Sequence, residues 1–180
     1  EIPCFIAGPE IEELWKPPDV GIIKINFDAS FIKEKGLATT AVLARNYKGD
    51  VIGAETYLFE NISDSFVAEA RACEHALIFA RNMRFQRLVV EGDSLTVIKT
   101  VRRNEADKSI IRPIICHIKH MSSFFTEITY SFVHRAVNEA AHVLAMEGRR
   151  RDGCGSWTAN VPELVRLVVW KDRSNWEQRA

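Results

Sequence analysis

The chain lacks an excess of charge of either sign: 24 Lys and Arg residues match 24 Asp and Glu residues. That balance excludes a global basic field, so any nucleic-acid binding depends on local patches. Paired cysteines are also missing. Cys4, Cys73, Cys116 and Cys154 are scattered without CxxC spacing, which argues against zinc and disulfide frameworks and for a reducing, intracellular compartment not specified further. No apolar run approaches the length of a membrane span, and the N-terminus lacks the basic and apolar regions of a signal peptide. There is no internal repeat or low-complexity tract. Because the chain starts with Glu rather than Met, a monomeric domain of a longer protein is the expectation. What remains is 180 residues, 47% hydrophobic and 27% charged, which suits one globular domain with a full core and some terminal extension.

Residues 1–21 hold Pro3, Pro9, Pro17, Pro18 and Gly21 around Trp15, and read as an irregular lead-in or linker. Residues 22–27 alternate apolar Ile23, Ile25 and Phe27 with polar Lys24 and Asn26, the pattern of a strand. Two further strands, 39–46 and 51–60, flank the turn Tyr47-Lys48-Gly49-Asp50 and form a hairpin. Ser63, Asp64 and Ser65 offer caps for a helix to about Met83, whose apolar face is Phe66, Ala70, Cys73, Leu77 and Ala80. A strand at 87–91 follows, then a helix from Ser94 to about Arg103 and a polar loop at 104–108. Ser109 is a cap candidate for a helix reaching about Phe124, with a strand at 126–133 and a helix at 138–147 ended by Gly148.

Against this pattern the acids stand out. Asp28 and Asp93 each close an apolar strand, and Glu69 lies near the start of the long helix, where the partial positive charge of the helix end favours its ionised form. A right-handed crossover lays the fourth strand parallel to the first, which brings Asp28 and Asp93 to the same carboxyl edge. Each alone would read as a turn, cap or surface residue. Carboxylates gathered in one place repel unless a divalent cation joins them, so a Mg²⁺ or Mn²⁺ site for phosphoryl chemistry is the leading expectation.

Four segments in order, NFDAS, AEARACEHAL, VVEGDS and VNEAAHVLA, resemble the ribonuclease H-type domain of the plant retroelement-derived, reverse-transcriptase-like family. The lead-in WKPPDVGIIKINFDAS and the turn NYKGDVIGA add to a resemblance that covers residues 15–147. The resemblance implies an α/β fold, the ribonuclease H-like five-stranded mixed sheet flanked by helices, over residues 22–147, with residues 148–180 as a C-terminal extension. It also implies hydrolysis of the RNA strand of RNA–DNA hybrids with two divalent cations. Asp28, Glu69 and Asp93 match the family's first three acids. The fourth acid belongs four residues after Asn138, and that position is His142, a ligand without negative charge. The link from His134 to Val137 is too short for the family's mobile histidine loop, so His134 is not given that role.

Other titratable residues read more simply. Asp50, Asp64 and Asp107 suit turns or caps, His75 an ordinary helix position, and His117 and His120 a surface or half-buried pair lacking a third ligand. Basic residues cluster locally. Lys99, Arg102, Arg103, Lys108, Arg112 and Lys119 fall on the middle helices and their loop, and Arg149, Arg150 and Arg151 follow the last helix. Among these, Arg102, Arg103 and Arg149, together with Asn138, are the candidate nucleic-acid contacts, though a solvated helix face accounts for the charges equally well. Two function classes follow: a hybrid-cleaving endoribonuclease, favoured by the three acids, and a nucleic-acid-binding module with little turnover, favoured by His142. A metal-free structural protein would leave the clustered carboxylates uncompensated.

Overall fold

Alternation of apolar side chains carries the first strand well past Asp28. In the computed structural model, which describes residues 13–103, 110–151 and 153–179, β1 spans Ile23–Ile32 and stays paired with β2 (Leu37–Arg45) along its length. The hairpin to β3 (Val51–Phe59) turns on Asn46, whose Oδ1 accepts from the backbone N–H groups of Lys48 and Asp50, both at 3.0 Å. Helix α1 (Ser65–Asn82) starts at Asp64, whose side chain accepts from the Val67 N–H at 2.9 Å, satisfying one of the orphan donors of a helix start. Strand β4 (Arg87–Gly92), α2 (Leu95–Arg102), α3 (Arg112–Ser122), β5 (Glu127–Phe132) and α4 (Glu139–Arg150) follow in the expected order. Ser109 and the loop at 104–108, including Asp107 and Lys108, lie outside the described residues.

The sheet order is β5-β4-β1-β2-β3-β6, with β1, β4 and β5 mutually parallel and the remaining pairs antiparallel. It therefore has six strands rather than the expected five. The additional strand, β6 (Gly155–Trp157), pairs with β3, and α5 (Glu163–Arg179) packs against α4, so the C-terminal stretch is built into the domain rather than trailing from it. Three paired residues are too short a run for periodicity to reveal. One face of the sheet carries α1 and α3 over Ile25, Phe27, Val42, Leu88 and Val90. The other carries α4 and α5 over Ala41, Leu43 and Ala54. Among the described residues no helix is long and apolar enough to cross a membrane.

The polar side of the β1 alternation does not face water. Lys24, Asn26, Arg45 and Glu91 are all buried beneath Trp15 and α5. Lys24 pairs with Glu91 at 2.7 Å, Arg45 with Asp172 at 2.6 Å, and Asn26 accepts from the Trp15 indole at 3.2 Å. The Arg45 guanidinium stacks 3.8 Å from the Trp15 ring centre, which explains why a lead-in that looks irregular is 2% exposed at this residue.

Two glycines mark close approaches. Gly148 does not end α4, which runs on to Arg150. It is buried where a Cβ would lie 2.8 Å and 2.9 Å from the γ-methyls of Thr39 and Thr56. At Gly92, the last residue of β4 before Asp93, a Cβ would overlap the Phe27 ring. Gly92→Ala is expected to cost about 1–3 kcal/mol by overpacking and to displace Asp93 from Asp28. Thermal unfolding and divalent-ion titration of the variant check both effects.

Candidate metal centre

The parallel pairing of β1 with β4 runs to Phe27 opposite Gly92, so the next residues, Asp28 and Asp93, emerge side by side. Glu69 comes from the second turn of α1. One carboxylate oxygen from each of the three lies within 4.8 Å of the others, the only such cluster of His, Cys, Asp or Glu among the described residues. Asp28 is fully buried, while Glu69 and Asp93 are partly exposed. The expected convergence of the three acids is thus present.

Two oxygens here are buried without a hydrogen-bond partner: Asp28 Oδ1 and Glu69 Oε2. Buried carboxylate oxygens ordinarily find donors, and leaving them bare is costly. Burial, then the Asp93 charge, raises the Asp28 carboxyl above its ordinary range, against the His142 hydrogen bond and Arg135. Burial, Asp28 and Asp93 raise Glu69 well above the ordinary 4.5. An all-oxygen acidic donor set with bare buried oxygens suits a hard divalent cation such as Mg²⁺ or Mn²⁺.

The raised carboxyls have a consequence for the metal-free protein. A carboxyl with a higher pKa folded than unfolded binds more protons in the folded state across the interval between the two values. Stability therefore falls as pH rises through that interval, which for Glu69 begins near 4.5. Chelated protein is expected to gain stability as pH falls from 7 towards 5, and Glu69→Gln to flatten that slope. At pH 7, Mg²⁺ at 100 times its Kd would restore about 2.7 kcal/mol. Thermal unfolding across pH, with and without Mg²⁺, measures all three.

Helix α4 supplies the fourth side. His142 Nδ1 lies 2.8 Å from Asp28 Oδ2, so the position expected to complete the acid set does face the cluster. Beside it is a residue the sequence did not single out, Arg135. Its Nε pairs with Asp93 Oδ2 and its Nη1 lies 2.6 Å from His142 Nδ1. Burial works against its charge, but the Asp93 hydrogen bond and the nearby acids push the guanidinium further up. The available signal was its place three residues before Asn138, which spacing alone does not distinguish from a surface arginine.

The expected nucleic-acid contacts divide. Arg102 and Arg103 are exposed at the end of α2, and exposed Arg149 reaches Ser30 Oγ at 3.4 Å, on the strand that carries Asp28. Asn138 is different. It is fully buried, donates to the Phe27 carbonyl at 2.9 Å and accepts from Asn26 at 3.2 Å, which leaves it no surface for a ligand. Its side chain instead ties the start of α4 to β1, one residue before Asp28. His117 is bonded to Glu74 at 2.6 Å and His120 stacks edge-on against Phe124, so the two do not converge on a metal. His75, read as ordinary, is buried between Thr40 Oγ1 at 2.8 Å and Glu55 at 3.0 Å, joining α1 to the sheet.

This mixed sheet with helices on both faces, carrying a carboxylate cluster where the parallel pairing of β1 with β4 ends, is the ribonuclease H-like fold. Solved structures agree. RNase H1 from the halophilic archaeon Halobacterium salinarum aligns with a TM-score of 0.67 and 21% identity, over 72% of this chain and 98% of that one. An N-terminal RNase H domain from Mycobacterium tuberculosis gives 0.64 and 20%, over 73% and 97%. LC11-RNase H1, isolated from compost by a metagenomic approach and solved in complex with an RNA/DNA hybrid, gives 0.64 and 17%, over 72% and 98%. The sequence pattern of the reverse transcriptase-like family matches residues 26–148, most of the chain, and the protein belongs to that family. No curated protein matches the sequence.

Proposed function

We propose that this chain is a divalent-cation-dependent endoribonuclease that hydrolyses the RNA strand of RNA–DNA hybrids. The observation that carries the reading is the trio Asp28, Glu69 and Asp93 with two bare, buried oxygens in a ribonuclease H-like fold. A hybrid-bound LC11-RNase H1 of the same fold supports the substrate class. Asp28, Glu69 and Asp93 would hold the cation, and His142 would orient Asp28 through the 2.8 Å contact. When bound, Mg²⁺ or Mn²⁺ supplies an activated water and stabilises charge on the departing 3′ oxygen. Asn138 keeps α4 registered on β1, so that His142 and Arg135 stay at the site. The test is cleavage of a labelled hybrid in Mg²⁺ and in Mn²⁺, with single-stranded RNA and duplex DNA as controls. No hybrid cleavage in either metal by folded protein refutes the nuclease reading.

A second reading, a hybrid-binding module with little turnover, is favoured by one specific feature: a neutral side chain, His142, where the family resemblance calls for an acid. Binding is backbone-led in either case. The wide minor groove of a hybrid offers 2′-hydroxyls and phosphates rather than a sequence code. Exposed Arg102 and Arg103 are expected to contribute phosphate contacts, so their joint replacement by Ala should weaken binding across all sequences. Each lost contact lowers the slope of log K against log salt by roughly 0.7–0.9. A salt series that leaves the slope unchanged removes them from the interface, with Arg149 the next candidate.

A further inference from the structure

The family resemblance calls for two cations, but three contacts divide this site unevenly. Asp28 faces two ways. Its Oδ2 is taken by His142 Nδ1 at 2.8 Å, whereas its Oδ1 is bare. A carboxylate that bridges two cations needs both sides free. The taken side of Asp28 is also the side of Arg135, whose guanidinium pairs with Asp93 Oδ2 and approaches His142 Nδ1 at 2.6 Å. Nδ1 has a single in-plane position, spent either on a proton given to Asp28 Oδ2 or on a lone pair facing Arg135 Nη1, so it is not open to a cation. The bare oxygens are Asp28 Oδ1 and Glu69 Oε2, and neither is engaged by His142 or Arg135.

Charge points the same way. Arg135 offsets one of the three acid charges and a single divalent ion offsets the remaining two. A second ion would leave the pocket with excess positive charge in a region where water screens poorly. A guanidinium is also a natural partner for phosphate, since its planar fork donates several N–H groups in fixed directions and Asp93 engages only some of them.

We infer that Arg135, braced by Asp93 and lying beside His142, takes the role of the second cation, so that Asp28, Glu69 and Asp93 hold one divalent ion. The inference deepens the nuclease reading and rests on its acid cluster as a cation site. It assigns Arg135 a substrate role as well: the N–H groups that Asp93 does not engage would donate to a substrate phosphate and supply fixed positive charge there.

The experiment counts ions without nucleic acid. Mn²⁺ is titrated into the purified chain and free Mn²⁺ is read by electron paramagnetic resonance, with calorimetry in parallel. The wild type is expected to bind one ion. Arg135→Ala should tighten that ion by about tenfold, because a competing positive charge next to Asp93 is gone. Arg135→Ala with His142→Asp should bind two. Arg135 is about half exposed on its side chain, so its replacement leaves the core untouched, and Arg135→Gln serves as a second, size-matched variant.

Two ions in the wild type overturn the inference. So does a single ion in the folded double variant, since Arg135 and His142 would then not be what keeps the second ion out. No ion at all overturns the acid cluster as a cation site, and the nuclease reading with it. One bound ion without hybrid cleavage rejects the nuclease reading alone and leaves the one-ion site standing.

Discussion

Asp28→Asn is expected to reduce hybrid cleavage by about 10³-fold while raising the thermal stability of the metal-free protein. The first effect follows from the position of Asp28, which is fully buried, has a bare Oδ1 where the proposed cation would bind and faces His142 through Oδ2. An amide is a poorer ligand and carries no charge. Losing the several kcal/mol that a correctly held cation contributes at a phosphoryl centre corresponds to roughly three decades of rate. The second effect has the opposite sign because the ground state is frustrated without metal. Burial and the Asp93 charge both disfavour the ionised Asp28, and neither acts on Asn. Steady-state cleavage in Mg²⁺ and unfolding in chelator, on the same preparation, check the pair. A variant that is both less active and less stable without metal would instead mean that Asn disrupts the packing around β1.

The other large effect lies away from the acids. Asp172→Ala is expected to destabilise the protein by about 3–5 kcal/mol, the cost of leaving a buried charge unpaired. Arg45 is fully buried; its Nη1 donates to Asp172 at 2.6 Å, its Nη2 to Asn26 Oδ1 at 3.1 Å, and the Trp15 ring stacks on it. Burial outweighs the attraction of the pair at both ends: it lowers Arg45 and raises Asp172. The pair therefore contributes little net stability, yet neither member tolerates the loss of the other. Replacing both with apolar residues, Arg45→Met with Asp172→Leu, should recover most of the loss. Chemical denaturation of the two singles and the double closes the cycle. If Asp172→Ala unfolds no more easily than wild type, α5 is not held by this contact.

Much of the candidate site was legible in order along the chain. Strand alternation places Asp28 and Asp93 by period, although β1 runs on to Ile32 rather than closing at Asp28. The helical face of Phe66, Ala70, Cys73 and Leu77 orients α1, and the crossover rule makes β1 and β4 parallel neighbours. The polar neighbours were not legible. Lys24 and Asn26 have the spacing of solvent-facing residues, because periodicity distinguishes the two faces of a strand and not what covers each of them. Trp15 and Asp172, brought from opposite ends of the chain, convert that face into a buried ion network.

What the sequence determined by itself is therefore the five strands and four helices between residues 22 and 147 and the three acids, with the place of His142 implied by the family resemblance. The elements and acids rest on short-range spacing and on a topology with few alternatives, while the reading of His142 rests on the resemblance. Only the tertiary structure decided that Asn138 is a buried brace, that Gly148 is a close contact within α4, that β6 extends the sheet, and that Arg135 stands among the acids. Each of these depends on what a side chain meets across long stretches of sequence, where burial, close approach and charge pairing are set by packing and leave no local period to read.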